Sequence, residues 1–440
     1  MTLKRSGVGW KHVAGLGVSL VIAGQFTGWN YGLSSGWANM AVATLLVALL
    51  SFGLALCVAE LAAARPHAGG LYTYCQDAFG GFTGYMVGMT VFGALAIGAG
   101  AAATFISAYC EHVLGFGGFP LKLALITAII GVHLRGVGEA MNLLVAAGVI
   151  SLLAILLFLL TLAPHFSPAN LVTATLPLEV SPMGVFAAIP FAIWLFITVE
   201  QTTAASEEVD DPGRNIPRGM IAAVLILLVS ALCILMIASG AGGVTHLAPA
   251  DDPLYAALTS PLLGNSYSTV ATIVGLGGMF GLLATMFSLV YSASRQLYAL
   301  AREGHLPIFI SGVNQRGAPD LTLMLVGGIA IFASLAPPMS VLLAVVLSLS
   351  AAYIVVLAAF IRLRTVEPSM PRPFRAWGGR GTAAACLVLS ILVFAACFQL
   401  DVAMLAGVGA YFVFAVAARI FVRSSQAAKV AAITEAPADV

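Results

Sequence analysis

In "PFAIWLFITVEQTTAAS" (190–206) a single carboxylic acid, Glu200, closes an otherwise apolar run. If the helix that carries it ends near Ser206, Glu200 lies roughly six residues deep, about 9 Å at helical rise. In a bilayer a carboxyl at that depth costs about 2–3 kcal/mol or more unless it faces a polar interior or becomes neutral. Two roles fit that constraint. Glu200 is a candidate proton carrier or gate, the reading favoured for an intramembrane acid. Alternatively it is a protonated side chain that hydrogen-bonds a neighbouring helix and fixes packing.

A second stretch raises a related question. "GQFTGWNYG" (24–32) puts Gly24, Gly28 and Gly32 beside Gln25, Trp29 and Asn30 in the middle of an apolar segment. Glycines four residues apart can be a close helix–helix contact. Such a seam does not call for Gln, Trp and Asn. A broken helix facing a cavity explains both, because irregular backbone at membrane depth survives only inside protein or along a wet cavity. Exposed peptide N–H groups would then bind an anion or a dipole, and Trp29 would stack on a cation. The Glu200 segment offers a counterpart. Pro190 removes a helix hydrogen bond, and the β-branched Ile197, Thr198 and Val199 lead up to the acid.

The elements that must position these residues are membrane helices. Hydrophobic residues make up 60% of the 440 and charged residues 8%, against about 25% charged in soluble chains. Mean hydropathy is +1.03. Twelve spans are predicted, at 12–39, 40–63, 83–110, 120–134, 141–163, 183–206, 219–241, 267–299, 321–337, 339–361, 381–399 and 402–422. With the N-terminus inside, every Lys and Arg except Lys122 falls in or beside a cytoplasmic segment, as the retention of basic residues on that side requires. Both termini are then cytoplasmic and the chain is expected in the inner or plasma membrane. The basic N-terminus leads into an apolar run too long for a cleaved signal peptide. Spans one and six open two five-helix sets, and interrupted segments at matching positions point to inverted repeats around a mid-membrane site. The expected organisation is a cytoplasmic N-terminus (1–11), a first repeat (12–163), a second repeat (183–361), two further spans (381–422) and a C-terminal tail (423–440).

Other classes fit poorly. No basic patch interleaved with aromatics suggests nucleic acid. The six cysteines are scattered without metal or disulfide spacing and read as small buried apolar residues. No HExxH and no paired intramembrane aspartates support an enzyme, and no charged ring or filter loop supports a channel. No cofactor and no metal is expected. "FGALAIGAGAAA" (92–103) fits close packing or room for a substrate, and both readings stay open.

Four motifs in order, "IAGQFTGWNYG" (22–32), "AELAAARPHAGGLYTY" (59–74), "PFAIWLFITVEQTTAASEEVDDPGRNIPRG" (190–219) and "SASRQLYALAREGHLP" (292–307), resemble the amino acid–polyamine–organocation superfamily of transporters. "GWNYG" and "PFAIW" look most like its ethanolamine permeases. The resemblance implies an all-α, LeuT-like fold of two inverted five-helix repeats plus two added helices, and transport of a small molecule by alternating access. The family's Gly-Ser-Gly break in the first helix falls on Gly28, Trp29 and Asn30. The Trp and Asn depart from it and disfavour a carboxylate, while an Asn suits a hydroxyl. In the sixth helix the family pattern puts an aromatic substrate contact on Trp194, a break on Phe196, Ile197, Thr198 and Val199, and a gating acid on Glu200. Thr198 stands where the family has Gly. The expected site is thus Gln25, Gly28, Trp29, Asn30, Trp194, Phe196, Ile197 and Thr198, with Glu200 for gating or proton coupling. Span five lacks the lysine that replaces sodium in some relatives. Ser288, Ser292 and Ser294 fit either a sodium ion or bonds to their own helix, and the expected coupling is to protons or by exchange. The expected substrate is ethanolamine, with an amino acid as the alternative.

Overall fold

The computed structural model describes residues 9–434 except 68, 137–139, 174–176, 207–208, 265 and 400–401; for 140–143 and 425–434 it describes the backbone. The ends of the expected N-terminal and C-terminal segments, 1–8 and 435–440, lie outside it.

Among the described residues every regular element is a helix. Twelve principal helices run in order: α1 (Trp10–Val21), α2 (Trp37–Ala64), α3 (Gly81–Leu114), α4 (Phe119–Leu134), α5 (Ala140–Leu162), α6 (Pro182–Ala192), α7 (Pro212–Gly242), α8 (Ser268–Arg302), α9 (Asp320–Ala333), α10 (Pro338–Val366), α11 (Arg380–Ala396) and α12 (Val402–Thr434). Three of them, α6, α7 and α10, begin at a proline, whose missing N–H is already without a helical partner in the first turn. Among the described residues nine segments are long and apolar enough to cross a membrane, and α4 and α9 are shorter apolar helices. α1 belongs to a longer buried segment, Trp10 to Ser35, that is interrupted.

The boundaries differ from the sequence reading in three places. α7 starts at Pro212, seven residues ahead of the predicted span at 219–241. α12 continues to Thr434, well past residue 422. A short helix, Leu71–Phe79, follows α2 and packs against α3 and α10; its nine residues fall below the length at which apolar periodicity is readable.

α3 forms the centre, buried along nearly its whole span and packed against α8, α9 and α10. Some of its small residues pack against a neighbour and others line a cavity. A Cβ on Gly100 would stand 2.4 Å from the Ala330 carbonyl of α9, so that glycine is a packing contact. Ala94, Gly98 and Ala102 instead face a cavity. α12 has its outer face bare, with Val413, Phe414 and Phe421 exposed.

At the Arg-rich face the structure also holds a second deep carboxylate. Glu60 is fully buried. It accepts from Arg364 Nε at 2.9 Å and from the Ala376 N–H at 2.7 Å, with Arg372 Nε at 3.1 Å. Arg65 joins Asp77 to Glu367 beside it. These pairs tie the end of α2 to the end of α10 and the segment that follows. Glu200 is therefore not the lone deep acid; Glu60 is another, and it is compensated by two guanidinium groups.

Candidate functional site

Two chain breaks lie side by side. In the first, the helical turn Ala23–Phe26 ends at Thr27, which is extended (φ −149°, ψ 152°), and Gly28 turns the chain with φ +83° before a 3₁₀ segment, Trp29–Ser35. In the second, α6 runs through Pro190 and passes at Ile193 into a 3₁₀ turn. The chain breaks at Phe196 (φ −134°) and Thr198 (φ +79°), then resumes as the 3₁₀ segment Val199–Ala205. Pro190 is thus not the break itself; the α-helix ends two residues beyond it. Thr198 takes a left-handed conformation that a β-branched residue rarely adopts.

Several carbonyls around the first break accept side-chain hydrogen bonds. Thr27 Oγ1 donates to Ala23 O (3.1 Å), Trp29 Nε1 to Gln25 O (3.2 Å), and Tyr109 Oη of α3 to Phe26 O (2.8 Å). Thr285 Oγ1 of α8 donates to Ser19 O at 2.7 Å. The two breaks are joined directly by Thr198 Oγ1, 3.1 Å from Leu20 O and 2.5 Å from its neighbour Ile197 O. This accounting is what a backbone away from water demands.

Between the breaks lies a narrow cavity of about 30 Å³, measured as the room open to the centres of water molecules. One water needs about 10–15 Å³ on that measure, so the cavity holds two or three waters or a compact ligand. Gly24, Thr27, Trp194, Ile197 and Thr198 contribute from the breaks, and α3, α8 and α10 supply the remaining wall. The lining contains no ionisable side chain. The lining is almost wholly apolar; its few polar groups are three threonine hydroxyls that already donate to carbonyls and the indole of Trp194, whose buried Nε1 has no partner among the described residues.

Of the nine residues expected from sequence, the structure brings Trp194, Ile197 and Thr198 onto the cavity. Phe196 is buried beside them. Gly28 lies against the Trp194 indole: a Cβ there would stand 3.0 Å from its Nε1 and Cδ1. Gln25, Trp29 and Asn30 do not line the cavity. Gln25 Nε2 donates to Leu227 O of α7 at 2.9 Å. Asn30 Nδ2 donates to Leu247 O and Ala250 O, both at 2.7 Å. Trp29 is fully buried on its own turn. Glu200, 1% exposed, is not part of the cavity lining; two residues beyond Thr198, it accepts from Gln201 Nε2 (3.1 Å) and from Tyr353 Oη of α10 (2.9 Å). The same hydroxyl is 3.5 Å from the Thr198 N–H.

A sequence model of the amino acid permease family matches residues 8–421. The chain belongs to that family. Among its relatives are a branched-chain amino acid permease of Bacillus subtilis, 24% identical over 82% of both chains. A methylthioribose transporter of the same species is 26% identical over 82% of this chain and 81% of the other. An uncharacterized transporter of Rhizobium meliloti is 26% identical over 70% and 67%. This permease is accordingly a membrane transporter and not an enzyme.

Within this permease, sequence reasoning missed Thr27, Tyr109, Thr285 and Tyr353. None carries a signal of its own, since a Thr or Tyr in an apolar helix reads as ordinary packing. Ser294 bonds Tyr291 O of its own helix at 3.0 Å, and among the described residues no group of His, Cys, Asp and Glu is arranged to hold a metal.

Proposed function

We propose that this permease is a secondary transporter of a small amine, ethanolamine first and a small apolar amino acid second, working by alternating access in the plasma membrane. The observation that carries the reading is the compact, uncharged cavity at the junction of two broken helices. Its size suits a ligand of few heavy atoms. Its lining suits an ammonium held by the Trp194 indole, a contact worth about 0.5–2 kcal/mol, with peptide groups and threonine hydroxyls for the polar end. The Trp194 ring against Gly24 and Gly28 leaves little room for a carboxylate at the first break, which supports ethanolamine. The branched-chain amino acids named for the Bacillus subtilis permease support the amino acid reading, while the methylthioribose named for the other relative does not.

Gly28, Trp194, Phe196, Ile197 and Thr198 form the substrate end in this reading, while Gln25, Trp29 and Asn30 hold the first break in shape. Glu200 and Tyr353 close the side toward the Arg-rich, cytoplasmic face, and Glu200 carries the coupled proton. The matching breaks support two inverted five-helix repeats, α1–α5 and α6–α10, with α11 and α12 added, twelve spans in all and both termini inside. Rocking of one set against the other then exposes the cavity to each side in turn.

Uptake of labelled ethanolamine by proteoliposomes, competed with a panel of amino acids, tests the substrate. Efficient competition by valine or leucine and none by ethanolamine moves the assignment to the amino acid reading. Gly98→Ala supplies a second arm. Its Cβ would meet only Leu289 Cδ1 at 3.3 Å and Val345 Cγ2 at 3.9 Å, so the fold should tolerate it while the cavity shrinks. Larger substrates should lose affinity before the smallest one does.

A further inference from the structure

The segment joining α7 to α8 carries two short helices, Val244–Leu247 and Pro253–Leu258. Between them, two consecutive carboxylates reach two different parts of the molecule. On one side the segment is tied to the first break: Asn30 holds the Leu247 and Ala250 carbonyls, and Tyr31 Oη donates to Asp251 Oδ1 at 2.5 Å. On the other side it is tied to the last turn of α3: Asp252 Oδ2 lies 2.9 Å from His112 Nδ1. The His112 ring stacks on Tyr255 with centroids 5.8 Å apart. The Asp252 side chain is 5% exposed and that of His112 55%. His112 Nδ1 makes its hydrogen bond to the Ala108 carbonyl of its own helix at 3.1 Å, so Asp252 Oδ2 has the imidazole at ion-pair distance without a hydrogen bond from it.

Resting on the transport reading above, we propose that His112 and Asp252 are positioning residues that latch this segment as a lid over the first break, and that closing the lid takes up a proton from the outer solution. A buried carboxylate beside a second carboxylate, near an imidazole whose hydrogen bond goes to a backbone carbonyl instead, is incompletely compensated, and its neutral form is favoured on burial. Consistent with this, burial pushes Asp252 up to about 6, His112 pulls it back in part, and Asp251 pushes it further up. With the lid open and Asp252 in water, the ordinary value near 3.9 applies. The closed form then binds the extra proton between about pH 4 and 6. Acid favours closure, and that preference is lost as pH rises through about 6.

The other titratable groups around the pair are Tyr31 on Asp251, Tyr255 against the His112 ring, Tyr109, which feels the charge of Asp252, and Lys122, which feels that of Asp251. Glu111 is exposed next to His112 in the chain, and His246 Nε2 lies 3.2 Å from Ala256 O.

The test uses sealed proteoliposomes of the full chain carrying Thr27→Cys, a position on the cavity wall, labelled by a membrane-impermeant thiol reagent from the lid side at pH 5 and pH 7.5. Chain without that cysteine gives the background, and comparison with Asp252→Asn cancels the thiol's own pH dependence. Corrected in that way, labelling should slow by about 3–10-fold in acid in the parent. Asp252→Asn should be slow at both pH values. His112→Ala, at a half-exposed position that folding tolerates, should move the midpoint to higher pH. An unchanged acid-to-neutral ratio in Asp252→Asn, or an unmoved midpoint in His112→Ala, overturns the latch. No substrate takes part, so a failure of the amine assignment would leave this readout standing, and the reverse.

Discussion

The two breaks reach the same backbone outcome by different means. At the first, Gly28 supplies φ +83° at no steric cost, and side chains from the same few residues, Thr27 and Trp29, cap the carbonyls that the break sets free. At the second, Thr198 is forced to φ +79°; its hydroxyl lies 2.5 Å from its neighbour Ile197 O, and its other contacts come from far along the chain, Leu20 O of the first segment and Tyr353 of α10. The turn of the first break is thus written locally by glycine, with Tyr109 of α3 adding one distant cap. The left-handed turn of the second needs neighbours that over-determine a conformation its own sequence resists. A break held partly from outside is also one that a rearrangement of those neighbours can release, which suits the segment that carries Glu200.

Substitutions can break or sharpen this contrast. The largest expected effect is at Gly28. Alanine there adds the cost of a left-handed non-glycine residue, about 1–2 kcal/mol. It also adds overpacking of about 1–3 kcal/mol, because the new Cβ would stand 2.6 Å from Leu342 Cδ1. Gly28→Ala should lose about 2–5 kcal/mol, seen as a lower melting temperature in detergent and absent uptake. Wild-type melting would mean that the first break does not depend on its glycine.

Next comes Asn30→Ala, which leaves two buried carbonyls without their donor and should cost about 1–3 kcal/mol. The damage should appear as faster proteolysis of the segment between α7 and α8, with ligand affinity at the cavity changed less. An equal loss of both would place Asn30 at the ligand after all. Tyr353→Phe should be comparable, since it removes the donor to Glu200 and the acceptor for the Thr198 N–H together; a thermal-shift loss under about 0.5 kcal/mol would show that the second break is not held from α10.

Glu200→Gln keeps the volume and an acceptor for Tyr353, so stability should change little. If Glu200 carries the coupled proton, the ratio of uptake at pH 5.5 to that at pH 7.5 should fall toward one. A pH profile equal to wild type leaves the carboxyl as a partner for Tyr353 alone.

The smallest effect is expected at Thr198→Gly. Relief of the left-handed strain, about 1–2 kcal/mol, offsets loss of the hydroxyl bond, about 0.5–1.5 kcal/mol. Thr198→Val keeps the strain and loses the bond, so it should be the less stable of the two by chemical melting. The opposite order would mean that Thr198 is not strained.

Much of this was legible in the chain. Apolar runs of about twenty residues mark helices because a bilayer demands that length, and "GQFTGWNYG" marked a break because three glycines with amide and indole groups have no place in a continuous lipid-facing helix. The position of Glu200 was legible for the same reason. The roles within "GQFTGWNYG" were not. Gln25 and Asn30 hydrogen-bond carbonyls some 200 residues away, and nothing local reports which way an amide will point. Glu60 was missed because its compensation comes from Arg364 and Arg372, more than 300 residues on. Pro190 misled slightly, since a helix can continue past a proline when the freed carbonyl lies near its end.

By itself the sequence determined the solvent for this protein and therefore its class: a chain with so few charges and so many apolar runs must fold as helices in lipid, because only helices satisfy their own peptide groups there. It also determined where the first break falls, since glycine's conformational freedom is a local property. Only the tertiary structure decided which polar groups face the cavity and which serve the backbone, why a threonine can stand at the second break, and that Asp251 and Asp252 join the first break to α3. Those outcomes depend on which distant atoms arrive within about 3 Å, and hydrogen bonds of that length form only once the helices have packed.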